Sequence, residues 1–134
     1  MEERTNDATR KRPEGERVID APMVDIDLPK YISQLKSEES WLDNSRNSIT
    51  VFKCDSMRIV LVGLHGGQVM QEHTAEGVIS VQVLEGHIVF SARGEEKKLV
   101  PGNMVTLHEK IPHSVTAVID SVFLLTMASK NRLA

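Results

Sequence analysis

The stretch Gly66-Gly67-Gln68-Val69-Met70-Gln71-Glu72-His73-Thr74-Ala75-Glu76-Gly77-Val78-Ile79-Ser80-Val81-Gln82-Val83-Leu84-Glu85-Gly86 holds two short β runs, separated by a bend at Thr74 to Gly77. Side chains alternate across a strand, so Val69, Gln71 and His73 share one face of the first run, and Met70 and Glu72 the other. In the second run Ile79, Val81 and Val83 share a face, closed by the Glu85-Gly86 turn. A face that is apolar except for Gln71 and His73 is expected to look inward. Forty positions after His73 the pattern returns: Pro101-Gly102, a β run, a turn at Pro112, then His113 on the face of Val115 and Ala117. Two histidines at the ends of inward-facing strands predict a shared cavity.

Outward from this stretch the chain reads as β in both directions. Ile49 to Lys53 turns through Asp55-Ser56 into Met57 to Leu64, which is apolar on both faces and so predicts a central, doubly covered strand. His87 to Ala92, Glu96 to Val100, Met104 to His108, His113 to Val118 and Val122 to Met127 follow, each punctuated by a turn signal. Short strands at this spacing, with no βαβ alternation, predict an all-β double-sheet barrel or jelly roll over residues 48–128. Upstream, Asp25 or Asp27 can cap a helix beginning near Leu28-Pro29, with Leu28, Tyr31, Ile32 and Leu35 on one stripe. Residues 18–47 are thus an extended segment and one short amphipathic helix that packs on the barrel or on a second subunit. Trp41 is expected as packing between helix and sheet, with a ligand platform as the alternative.

Residues 1–17 are dense in charge and almost devoid of large apolar side chains. Composition therefore predicts a mobile tail, because there is too little apolar surface to offset the entropy of ordering. Residues 129–134 are expected to form a short C-terminal tail. The chain of 134 residues is long enough for one barrel domain. Its formal net charge of −3 argues against a nucleic-acid binder, which is usually basic. Cys54 is the single cysteine, so no intrachain disulfide forms. The charged N-terminus lacks the apolar core of a signal peptide, and no apolar run is long enough to span a membrane. The expectation is a cytoplasmic protein with no membrane partner.

Gly66 to His113 resembles the two-part signature of the cupin superfamily, small β-barrels with a metal or ligand site inside. Placed on the first motif, Gln71 and His73 take the His-x-His positions, Ile79 the glutamate and Gly86 the closing glycine, while His65 stands at the leading glycine. On the second motif Gly102 and His113 match. His108 stands at the proline, Lys110 at the glycine and Ala117 at the asparagine. The resemblance covers about Ser48 to Met127. It implies a cupin-type double-stranded β-helix with one short N-terminal helix, and a metal site altered at two of its four usual ligand positions.

For the chemistry, imidazole is the commonest neutral ligand of transition metals. The metal reading assigns Gln71, His73 and His113, with His108 as the weaker candidate, to a divalent ion such as zinc, iron, nickel, manganese or copper. Lacking an anionic ligand, the site should be weak and lose metal as the imidazoles protonate. The other reading is an imidazole pair hydrogen-bonded in a polar cavity without metal. His65 is expected to be structural, and His87 to face outward or cap the sheet. No phosphate-binding glycine loop, Cys-x-x-Cys pair or nucleophile turn is present. Three functions stand: a small-molecule-binding cupin; a metal-dependent dioxygenase, isomerase or decarboxylase acting on a small organic acid or carbonyl compound; and a homodimeric interaction module. Binding ranks first, and a homodimer is expected in each case.

Overall fold

In the computed structural model, which describes residues 2–129, the alternating runs become strands of two facing sheets. The elements are β1 (Arg4–Asn6), β2 (Arg17–Asp20), α1 (Leu28–Ser37), α2 (Glu39–Leu42), β3 (Asn47–Lys53), β4 (Met57–Leu64), β5 (Val69–His73), β6 (Ile79–Glu85), β7 (Ile88–Ala92), β8 (Glu95–Leu99), β9 (Met104–Leu107), β10 (His113–Ala117) and β11 (Ser121–Ala128). One sheet has the order β3-β4-β11-β6-β9, the other β5-β10-β7-β8, and every pairing is antiparallel. This is the expected jelly roll. The first core lies between the sheets, where Val60, Val62, Ile79, Val81, Val83, Phe90, Val115 and Phe123 are buried. These residues come from alternate positions of their strands, as a half-buried sheet requires.

A second core lies on the outer face of the five-stranded sheet. Leu35 and Trp41 from the helices bury against Ile49, Val51, Leu61 and Val122. Strand β4 thus supplies Val60 and Val62 to one core and Leu61 to the other, which is why it is apolar on both faces. The Asp27 side chain accepts a hydrogen bond from the Lys30 amide and caps α1, with Pro29 in the first turn. Extended backbone at Glu38 ends α1 and splits off the one-turn α2. Gly63 lets the helices approach: a Cβ there would come within 3.0 Å of Trp41 Cζ3 and closer still to Leu35. Leu35 has no exposed surface, so Leu35→Ala should cost about 2–5 kcal/mol. The apolar stripe of α1 packs on the chain's own sheet, the first of the two places expected for it.

The turns follow their residues. Arg93 and Gly94, both at positive φ (56° and 74°), make a two-residue hairpin between β7 and β8, where Ala92 pairs with Glu95. Gly86 sits at φ 88° against Ser121 and the Asp120 carbonyl, leaving no room for a Cβ.

The N-terminal segment departs from the mobile tail expected of residues 1–17. β1 pairs with β2, and the segment runs along the edge of β3. Arg12 makes an ion pair with the buried Glu38 at 2.9 Å and donates from Nη2 to Asn47 Oδ1 (3.1 Å) and the Ser48 carbonyl (2.6 Å). Arg17 donates to the Thr50 carbonyl at 2.8 Å. β3 is an edge strand, so Ser48 and Thr50 have carbonyls with no neighbouring strand to pair them. Two guanidiniums take the place of that strand. The segment is held by charge and hydrogen bonds, which a count of apolar residues does not register.

Candidate functional site

His73 and His113 are cross-strand partners on β5 and β10. Their ring centroids lie 4.4 Å apart at a 56° tilt, and Phe90 stacks on the other side of His113 at 5.5 Å. His113 is buried, whereas His73 is exposed at the end of edge strand β5, not inward-facing as its alternation suggests. The structure therefore brings these two histidines together. It does so by a route that alternation alone misses. His113 pairs with His73 but Val115 pairs with Met70, so β5 carries one extra residue at Gln71-Glu72. This bulge shifts the phase. Met70, not Val69, packs against the inner core, and Val69 is 42% exposed. Gln71 is exposed, and its expected place beside His73 on one inward face is corrected by the bulge.

Gln71 contributes through its backbone instead. Its carbonyl lies 2.8 Å from His73 Nδ1, and the Ile111 carbonyl lies 3.0 Å from His113 Nδ1. A carbonyl only accepts, so in each ring Nδ1 carries the proton in the neutral imidazole and Nε2 keeps its lone pair. Among the described residues neither Nε2 has a hydrogen-bond partner. The pair thus presents two acceptor or ligand nitrogens, each held in orientation from behind, as metal-binding histidines commonly are.

The other candidates stay apart. The His108 side chain is 82% exposed, and its Nδ1 faces Glu109 at 3.6 Å. Ile79 is buried in the inner core and brings no carboxylate. Among the described residues no group of three His, Cys, Asp or Glu side chains could hold a metal ion. Catalytic metal centres usually draw three protein ligands. Two neutral imidazoles do not fit such a centre; the donor set suits a weak, two-point metal contact.

His65 is structural, as expected. It stacks on Trp41 at 3.6 Å, and its Nε2 lies 2.9 Å from the Trp41 carbonyl. Trp41 is therefore packing rather than a ligand platform. Asp120 sits 3.4 Å from His65 Nδ1 and accepts from the Gly66 amide at 2.9 Å. The Gly66 hydrogen bond, followed by the His65 contact, holds the Asp120 carboxyl below the usual range despite some desolvation. His87 does not face outward: its Nε2 is buried with no hydrogen-bond partner.

Sequence reasoning missed a cavity to which β5 contributes Met70. It has a volume of about 410 Å³ and opens where the β3 edge of one sheet meets the β5 edge of the other. Val60, Val62, Met70, Leu125 and Met127 give it an apolar floor, and Arg46, Ser48 and Arg58 reach it from the rim. Met70 is the next inward residue along β5 from His73 and is that strand's contribution to the lining. Arg58 shares the inward parity of Val60 and Val62 on β4, the one signal the sequence offered.

No family profile matches the chain, and no curated protein matches it. Solved structures do. A conserved protein of unknown function from Streptococcus pyogenes is 22% identical, with a TM-score of 0.68 over 85% of this chain and 93% of that one. A cupin superfamily protein from Desulfitobacterium hafniense is 17% identical, with a TM-score of 0.67 over 94% and 98%. An RmlC-like cupin from Desulfovibrio desulfuricans is 28% identical, with a TM-score of 0.59 over 64% and 84%. The chain has the cupin-type fold, a double-stranded β-helix.

Proposed function

We propose that this protein binds a small organic molecule inside the barrel, beside His73 and His113, and that the pair also holds a divalent transition metal weakly. The observation that carries the reading is the pair itself. Two imidazoles 4.4 Å apart each keep an Nε2 with no hydrogen-bond partner among the described residues, and Met70, on the same strand as His73, lines an apolar-floored cavity. Lone pairs oriented in this way can accept a hydrogen bond from a ligand or coordinate a metal ion. With no third ligand among the described residues, binding is favoured over metal-dependent catalysis.

The test is a titration of the ring signals of His73 and His113 by NMR, first with zinc, then with hexanamide as a neutral amphiphile sized to the cavity. Zinc should shift both rings with an affinity far below that of a three-ligand site. His73→Ala and His113→Ala should each remove the response. Hexanamide should shift the same rings and Met70. Rings indifferent to both probes would sink the reading. A tight zinc site that survives either alanine variant would place the metal elsewhere.

A further inference from the structure

The cavity between the β3 and β5 edges carries charge of one sign. Its lining carries two guanidiniums, Arg46 and Arg58, and no Asp or Glu. The chain as a whole has a formal net charge of −3, yet the lining of this cavity is cationic. Arg46 forms no ion pair or hydrogen bond among the described residues. Arg58 touches only the Thr50 hydroxyl, at 3.2 Å, and has no carboxylate partner there. Arg12 and Arg17 differ, being committed to Glu38 and the Ser48 carbonyl and to the Thr50 and Gly15 carbonyls.

Their placement is also ordered. Arg46 precedes Asn47, which pairs with Gly63, whereas Arg58 pairs with Lys53 at the other end of the β3–β4 ladder. The guanidiniums therefore enter from opposite ends, with Val60, Val62 and Met70 between them. A planar guanidinium matches the two oxygens of a carboxylate, and a low-dielectric floor strengthens that pairing. Volumes of about 300–1,000 Å³ suit small ligands.

We infer that the cavity takes an organic carboxylate with an apolar body, its anionic head on Arg46 or Arg58 and its body on the methionine-lined floor. This rests on the reading that the barrel binds a small molecule, and it names that molecule's class.

The experiment compares hexanoate with hexanamide, which has the same shape and no charge, by calorimetry and by NMR shifts of Met70 and Met127. Hexanoate should bind at least about tenfold more tightly, the scale of one charge-assisted hydrogen-bonded pair. Arg46→Gln and Arg58→Gln should each bring hexanoate down several-fold and leave hexanamide unchanged. Arg58→Lys should recover only part of the loss, since an ammonium lacks the fork. Equal affinity for acid and amide would overturn the carboxylate inference and leave small-molecule binding standing. No shift at Met70 or Met127 with either probe would overturn both. If Arg58→Gln fails to fold, Arg46→Gln decides, because no bond of Arg46 to a described residue is lost with it.

Discussion

Replacing Arg12 by alanine tests whether the N-terminal segment is part of the folded unit. The change removes the 2.9 Å ion pair with Glu38 and two further donations, to Asn47 and to the Ser48 carbonyl. The Glu38 side chain is 5% exposed and that of Arg12 22%, so the carboxylate left behind stays largely out of water. Removing one partner of a buried pair costs about 3–5 kcal/mol. Glu38 keeps Asn47 Nδ2 at 3.0 Å and Gln34 Nε2 at 3.1 Å, which places the cost at the lower end, about 3 kcal/mol. In a chain of this length 1 kcal/mol moves the thermal midpoint by about 3–5 °C, so Arg12→Ala should melt about 10 °C lower. Urea denaturation at neutral pH gives the free energy directly. Adding Glu38→Gln to the variant should return part of the loss, because the unpaired charge goes. A midpoint within a degree of wild type would show that Arg12 is not docked and that residues 1–17 are the free tail their composition suggests.

Three further outcomes are expected. Asp120 has its pKa lowered in the folded chain, so the stability it adds is present above its unfolded pKa and is lost as pH falls through the folded one; Asp120→Asn should flatten the acid limb of the stability–pH curve by a small amount, since this side chain is 64% exposed, and an unchanged limb counts against the Gly66 bond. His87→Leu removes a buried nitrogen without a partner, so it should be neutral or stabilising by about 1 kcal/mol in thermal melts; a loss of several kcal/mol would reveal a partner for Nε2. Light scattering at micromolar concentration should return a dimer mass, with Leu42 (67% exposed) and Ile119 (55% exposed) as apolar side chains available for contact, and a monomer mass removes that proposal.

The barrel was legible because its strands alternate cleanly. Ile79, Val81 and Val83, and likewise His113, Val115 and Ala117, take the faces their spacing demands. The β5 bulge was not, because Gln71-Glu72 contains neither glycine nor proline to mark an inserted residue. The approach of His73 to His113 was foreseen from the turn-strand-histidine repeat, but the place of Gln71 was misread for that reason. The N-terminal strand was hidden by its chemistry, since arginine hydrogen bonds leave no periodic trace. Arg46 and Arg58 are twelve positions apart and individually ordinary; only the meeting of the β3 and β5 edges puts them on one cavity.

The arginine fastening of β3 also bears on the order in which the chain folds. Arg12 has nothing to grip until the end of α1 has delivered Glu38 and β3 has presented Ser48. Ser48 in turn is placed by pairing with Val62 on β4, which needs β11 as its other neighbour. The segment synthesised first therefore locks last. Interactions that form after the transition state change the unfolding rate and leave the folding rate alone. In a chevron plot, Arg12→Ala should raise the unfolding arm and leave the folding arm in place. A slower folding arm would mean that the N-terminus takes part in the nucleus, with β3 assembled on it instead of the reverse.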